Sequence, residues 1–159
     1  MDIGDLPVVE VMDREVNLID GDRPIDEALR HCSEHESADV IVVDQEERYL
    51  GLITHIEILG YISPFMGIHT GRKTMGPSLM VHRCPRMRDL MNPGHRTVGK
   101  DTPLSEALLH MRKDHHRYLV VLDEEGRVLG KVDLRDIITL LLKEGALQGD
   151  TCELNPDGP

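Results

Sequence analysis

The chain has 159 residues, 40% of them hydrophobic and 30% charged, and a formal net charge of −11. That length and mixture suit one soluble globular domain or two small units sharing a core. The negative charge argues against general affinity for nucleic acid or anionic membranes. No apolar run reaches membrane-spanning length, the N-terminus lacks the basic and apolar regions of a signal peptide, and three scattered cysteines (Cys32, Cys84, Cys152) suit a reducing cytosol, so a cytoplasmic location is expected.

In chain order, a short strand is expected at 16–19, followed by a turn and Pro24, which suits the first position of a helix. Ile25, Ala28, Leu29 and Cys32 then follow at helical spacing. Two β-branched, largely apolar runs, 40–43 and 50–53, flank the charged turn Asp44-Gln45-Glu46-Glu47-Arg48 and read as a hairpin covered on both faces. A helix is expected near 55–62. The same order recurs 79 residues later: a strand at 96–98, Pro103, the stripe Leu104, Ala107, Leu108 and Met111, strands at 119–122 and 128–132 around Asp123-Glu124-Glu125-Gly126-Arg127, and a helix at 134–143. Aligned without a gap, 11–59 and 90–138 share 14 identities in 49 positions, where background composition gives about three. The chain is one β-α-β-β-α unit written twice, and the space between the copies is the first place to look for a function.

This divides the chain into repeat 1 at 8–62, an insert at 63–85, repeat 2 at 86–144, and a glycine- and proline-rich tail at 145–159 that is expected to be flexible. Residues 58–88 contain no Asp or Glu, while Arg72, Lys73, Arg83, Arg86 and Arg88 give +5. This stretch reads either as an anion-binding or partner surface, or as a linker whose basic residues pair with acidic neighbours.

Four pieces recur in both copies. They are Val8-Val9-Glu10-Val11-Met12 with Met87-Arg88-Asp89-Leu90-Met91, and Pro24-Ile25-Asp26-Glu27-Ala28 with Pro103-Leu104-Ser105-Glu106-Ala107. Then come Val42-Val43-Asp44 with Val121-Leu122-Asp123, and Gly51-Leu52-Ile53-Thr54-His55-Ile56-Glu57 with Gly130-Lys131-Val132-Asp133-Leu134-Arg135-Asp136. In this order and in duplicate they resemble a pair of cystathionine β-synthase (CBS) domains, the Bateman module. The resemblance implies an α+β fold of two repeats packed pseudo-symmetrically around a shared cleft, adenine nucleotides or S-adenosylmethionine as ligands rather than a required cofactor, and homodimerisation.

The resemblance places ligand contacts at the first strand and hairpin entry of one copy and at the last-strand finish of the other. The first cleft combines Asp133 and Asp136 with Leu18, Ile19, Ser37 and Ala38. Its two carboxylates repel phosphate, which favours an uncharged nucleoside, a cationic adenosyl compound, or no ligand. The second combines Thr54 and Glu57 with Thr97, His116, Arg117 and Tyr118, where Arg117 suits a phosphate. Thr54 and Asp133 also stand where a strand hands over to a helix, so helix capping alone is the alternative reading of both, and it is compatible with ligand binding.

No motif for catalysis is present, so no enzymatic activity is expected. His31 and His35 stand four apart with Cys32 between them, and His110, His115 and His116 follow in the second copy, but neither helix offers a diagnostic metal-ligand set, and no metal is assigned. The reading is therefore a regulatory module sensing an adenosyl ligand. Its alternatives are a ligand-free dimeric scaffold presenting the basic insert to a protein partner, and a histidine-based metal sensor.

Overall fold

A computed structural model describes residues 2–35, 39–67 and 85–146. In the first repeat, β1 (Leu18–Asp20) pairs in parallel with β2 (Val40–Val43), placing Leu18 opposite Ile41. Parallel neighbours need a crossover, and α1 (Asp26–Glu34) lies within it. Its stripe packs inward: Ile25 and Ala28 are buried, with Leu29 and Cys32 against the same core. Antiparallel pairing then joins β2 to β3 (Tyr49–Ile53). The Asp44 carboxylate accepts the backbone N–H groups of Glu46 and Arg48 at 2.8 and 3.0 Å, closing the turn. These bonds, that from Arg48 foremost, hold the Asp44 carboxyl below its ordinary pKa. Strand β3 hands over to α2 (His55–Ile62).

After a one-turn helix, α3 (Met87–Leu90), the second repeat follows with β4 (Thr97–Gly99), α4 (Leu104–Asp114), β5 (Tyr118–Leu122), β6 (Val128–Asp133) and α5 (Leu134–Lys143). Its three strands form a second sheet in the order β4-β5-β6. The architecture is therefore two β-α-β-β-α repeats. Asp123 repeats the turn of Asp44, accepting from Glu125 and Arg127 at 2.8 and 2.9 Å.

Three local expectations shift. The leading strands lie one to two residues later than the apolar pattern indicates. Strand β6 alternates between buried and half-buried positions instead of being covered throughout, because Lys131 interrupts its apolar run. The prolines precede their helices: Pro103 is the N-cap of α4, and Pro24 stands before the N-cap residue Ile25. Each proline occupies an isolated antiparallel bridge, Pro24 with Arg86 and Pro103 with Pro7. The hydrogen bonds come from the flanking residues: Ile25 N to Pro85 O and Met87 N to Arg23 O, and Leu104 N to Leu6 O and Val8 N to Thr102 O. A residue with no N–H fits such a position at no cost.

The chain forms two compact units, and neither is one contiguous stretch. The first is drawn from Glu15–Arg96 with Leu122–Val128, the second from Met1–Arg14, Thr97–Val121 and Leu129–Pro159. The first unit has a core of Ile25, Ala28, Val40, Val42, Ile53, Ile58 and Met87. In the second unit, Val8 and Met12 join Val98, Leu104, Ala107, Met111, Leu119, Val121, Val132 and Ile137. Thus the N-terminal segment supplies apolar side chains to the core built by the second repeat.

Equivalent bridges pin the two segments. Asp13 pairs with Lys131 in the second unit, and Asn92 with Leu52 in the first. The 79-residue offset carries each bridge onto the other. Both approaches pass over a glycine, since a Cβ on Gly130 would lie 2.4 Å from Asp13 O and one on Gly51 would lie 2.7 Å from Asn92 O. The turn of the second hairpin joins the first unit, where Arg48 bridges Arg127, Tyr49 N donates to Gly126 O and Val128 N donates to Glu47 O.

Candidate functional site

In the first unit, Thr54 is the N-cap of α2, with an extended backbone. Its N–H and hydroxyl both donate to Glu57 Oε2, at 2.7 and 2.5 Å. The hydroxyl oxygen in turn accepts the Ile56 N–H at 3.3 Å. The capping box anticipated from Thr54 and Glu57 is therefore complete, and the Thr54 proton is already engaged by a carboxylate. Leu18 and Ile19 are half-buried in β1. Ser37 and Ala38 lie outside the described residues.

In the second unit, Asp133 caps α5 and accepts the Arg135 N–H at 2.9 Å, while its own N–H donates to Asp136 Oδ2 at 3.3 Å. Burial pushes the Asp136 carboxyl above its ordinary pKa. The Asp133 N–H opposes that shift, the charges of Asp133 and Asp13 add to it, and Lys131 opposes it. Arg117, just before β5, accepts the Leu134 N–H on its carbonyl. Its guanidinium Nε lies 3.7 Å from Asp133 Oδ1. Tyr118 is buried, with Lys131 Nζ 5.3 Å from its ring centroid. Thr97 and His116 are half-buried, and the His116 N–H donates to Met111 O at the end of α4.

The structure thus brings Arg117 beside Asp133, two residues that the sequence reading assigned to different clefts. It also adds Asp13 and Lys131 to the surroundings of Asp136. No local pattern marks Asp13, because it arrives from the N-terminal segment through the bridge to Lys131. The two helix starts differ in chemistry. One is an uncharged threonine over a single carboxylate, and the other is a network of three carboxylates and two cations.

His31 and His35 stack with ring centroids 4.2 Å apart, and His35 Nδ1 is 3.1 Å from His31 O. Burial chiefly, then the neighbouring His35, lowers the His31 pKa, against the pull of Glu34. His110 Nε2 lies 3.4 Å from Glu106 Oε1. Among the described residues, no three His, Cys, Asp or Glu side chains are arranged to hold a metal ion. Within the acid-free stretch, Arg86 and Arg88 reach Asp22 at 3.7 and 3.1 Å, while Arg72, Lys73 and Arg83 lie outside the described residues. Large apolar side chains are exposed on the last helix of each repeat: Ile56 and Leu59 on α2, and Leu134, Ile138 and Leu142 on α5. Among the described residues no helix is long and apolar enough to cross a membrane.

A family model described as "CBS domain" matches residues 4–64 and 87–143. A CBS domain-containing protein of Dictyostelium discoideum is 28% identical over 137 residues, covering 86% of this chain and 91% of that protein. Among solved structures, CBSX2 in complex with AMP superposes with a TM-score of 0.69 at 18% identity, covering 87% of this chain and 97% of the other. The CBS domain pair of protein MJ0100, in complex with 5′-methylthioadenosine and S-adenosyl-L-methionine, gives 0.62 at 18% identity, covering 87% and 98%. At these identities the likeness to solved structures is one of fold.

Proposed function

This chain belongs to the CBS domain family, whose domain pairs are regulatory rather than catalytic modules, and we propose that it senses an adenine nucleotide or another adenosyl compound. The observation that carries the reading is the duplicated strand-to-helix junction. In both copies a carboxylate three residues into the helix, Glu57 or Asp136, accepts the N–H of the capping residue. Such a junction sets the positive end of a helix beside a carboxylate acceptor, which suits a ligand bearing ribose hydroxyls. Relatives of the same fold are described as complexes with AMP and with S-adenosyl-L-methionine, which supports the ligand class.

Binding acts by its differential affinity for alternative arrangements of the module. The change is transmitted to a second copy of the chain through the exposed apolar faces of α2 and α5. Desolvating side chains such as Leu59 and Ile138 favours association.

Calorimetric and thermal-shift titrations with AMP, ADP, ATP, adenosine and S-adenosylmethionine test the reading. A ligand at a hundred times its Kd stabilises the folded state by about 2.7 kcal/mol, which raises Tm by roughly 5–10 °C at this chain length. Asp136→Ala or Glu57→Ala weakens the response. Flat titrations with all five compounds would refute the proposal.

A further inference from the structure

Arg117 and Asp133 form a pair with one fixed and one free half. The Asp133 side chain is 17% exposed and its Oδ1 already accepts the Arg135 N–H, so the carboxylate is locked onto the start of α5. The Arg117 side chain is 65% exposed and approaches Oδ1 through Nε alone, at 3.7 Å. That separation is too long for a hydrogen bond, so the pair is held by charge. Its backbone, by contrast, is anchored by the Leu134 N–H on its carbonyl, 2.9 Å away. The guanidinium is thus tethered beside the helix start, attracted to a carboxylate, and loosely held.

We infer that Asp133 acts as an internal competitor of anionic ligands for Arg117, so that this pair selects the charge class of ligand the module accepts. The inference rests on the sensing reading above and names its specificity. A phosphate offers a guanidinium two parallel, charge-assisted hydrogen bonds, a better partner than one charge at 3.7 Å. To gain them, a phosphorylated ligand must draw Arg117 away from Asp133, leaving that carboxylate without its guanidinium beside Asp136, on which the charges of Asp133 and Asp13 already bear. An uncharged nucleoside leaves the pair intact. The site therefore discriminates by what Arg117 must abandon, as well as by what the ligand offers.

The experiment compares AMP with adenosine, and inorganic pyrophosphate as a probe without adenosine. Each is titrated into the full chain as wild type, Asp133→Asn, Arg117→Gln and the double variant. Asparagine caps a helix as well as aspartate does, and Asp133→Ser serves if circular dichroism shows that Asp133→Asn is unfolded. The expected result is a rise of about two- to fivefold in the AMP-to-adenosine affinity ratio and in pyrophosphate affinity for Asp133→Asn, the size expected for a partly exposed charge pair. Arg117→Gln lowers both, and in its background Asp133→Asn produces no gain.

If no adenosyl compound binds any variant while Asp133→Asn gains pyrophosphate affinity through Arg117, the competition stands and the adenosyl reading falls. The competition is overturned if Asp133→Asn improves neither quantity. It is equally overturned if the gain survives undiminished in Arg117→Gln, because Asp133 would then act by direct repulsion alone.

Discussion

Replacing Gly130 by alanine perturbs the attachment of the N-terminal segment at one point. The new Cβ would lie 2.4 Å from Asp13 O, 3.2 Å from Asp13 C and 3.2 Å from Met12 Sδ, where ordinary contact begins at about 3.5 Å. Two of these are backbone atoms, so no rotamer change relieves the overlap, and the segment must move. Movement endangers the bonds Asp13 N to Lys131 O and Lys131 N to Asp13 O, at 2.8 and 2.9 Å. Each contributes about 0.5–1.5 kcal/mol net, so their loss costs about 1–3 kcal/mol. Full departure would also expose Val8 and Met12, now 0% and 9% exposed, at about 1.5–3 kcal/mol each. Partial displacement should cost about 2–4 kcal/mol. Urea denaturation followed by far-ultraviolet circular dichroism measures it, with two alanine controls at glycines that have no atom within 4 Å of the added Cβ. Gly126→Ala, at φ +82°, should lose about 1–2 kcal/mol from backbone conformation alone. Gly60→Ala, within α2, should gain about 0.4–1 kcal/mol. A Gly130→Ala protein no less stable than Gly126→Ala would refute the close-approach argument.

Other expectations follow from single groups. Burial raises the Asp136 pKa in the fold, so the folded protein holds this proton more tightly than the unfolded chain. The stability this provides is complete below the ordinary carboxylate pKa and is lost as pH rises through the folded value. Asp136→Asn should therefore gain stability relative to wild type on going from pH 4 to pH 7 in urea titrations, and the opposite trend would contradict the burial argument. Thr54→Ala removes the hydroxyl that donates to Glu57 and accepts from Ile56, and should cost about 1 kcal/mol while Thr54→Ser costs less. Glu47 adopts φ 62° at the turn position where the second copy has Gly126 at 82°. Glu47→Gly should raise the urea midpoint, by about 0.5–1 kcal/mol in stability, because relief of the left-handed strain exceeds the added chain entropy.

Much of the local structure is legible in the residues. The bounds of α2 and α5, His55–Ile62 and Leu134–Lys143, coincide with the expectation because a capping residue and an apolar stripe mark them. The carboxylate that closes each hairpin turn is likewise a local contact, between Asp44 or Asp123 and residues two and four further on. The prolines are less transparent. Their fixed φ and missing N–H suit a first helical turn and a bridge position alike, and the choice depends on Arg86 and Pro7, which are distant in sequence.

By itself the sequence determined the repeat, its elements and their order, since periodicity, caps and turns act over a few residues. Only the tertiary structure decided that residues 7–13 complete the core of the second repeat rather than the first, and that Arg117 stands beside Asp133. Apolar side chains such as Val8 and Met12 carry no address, because hydrophobic burial is non-directional and either core would accept them. The choice is made by backbone bridges and close approaches over Gly51 and Gly130. These need two distant segments in register, and no short stretch of sequence contains both.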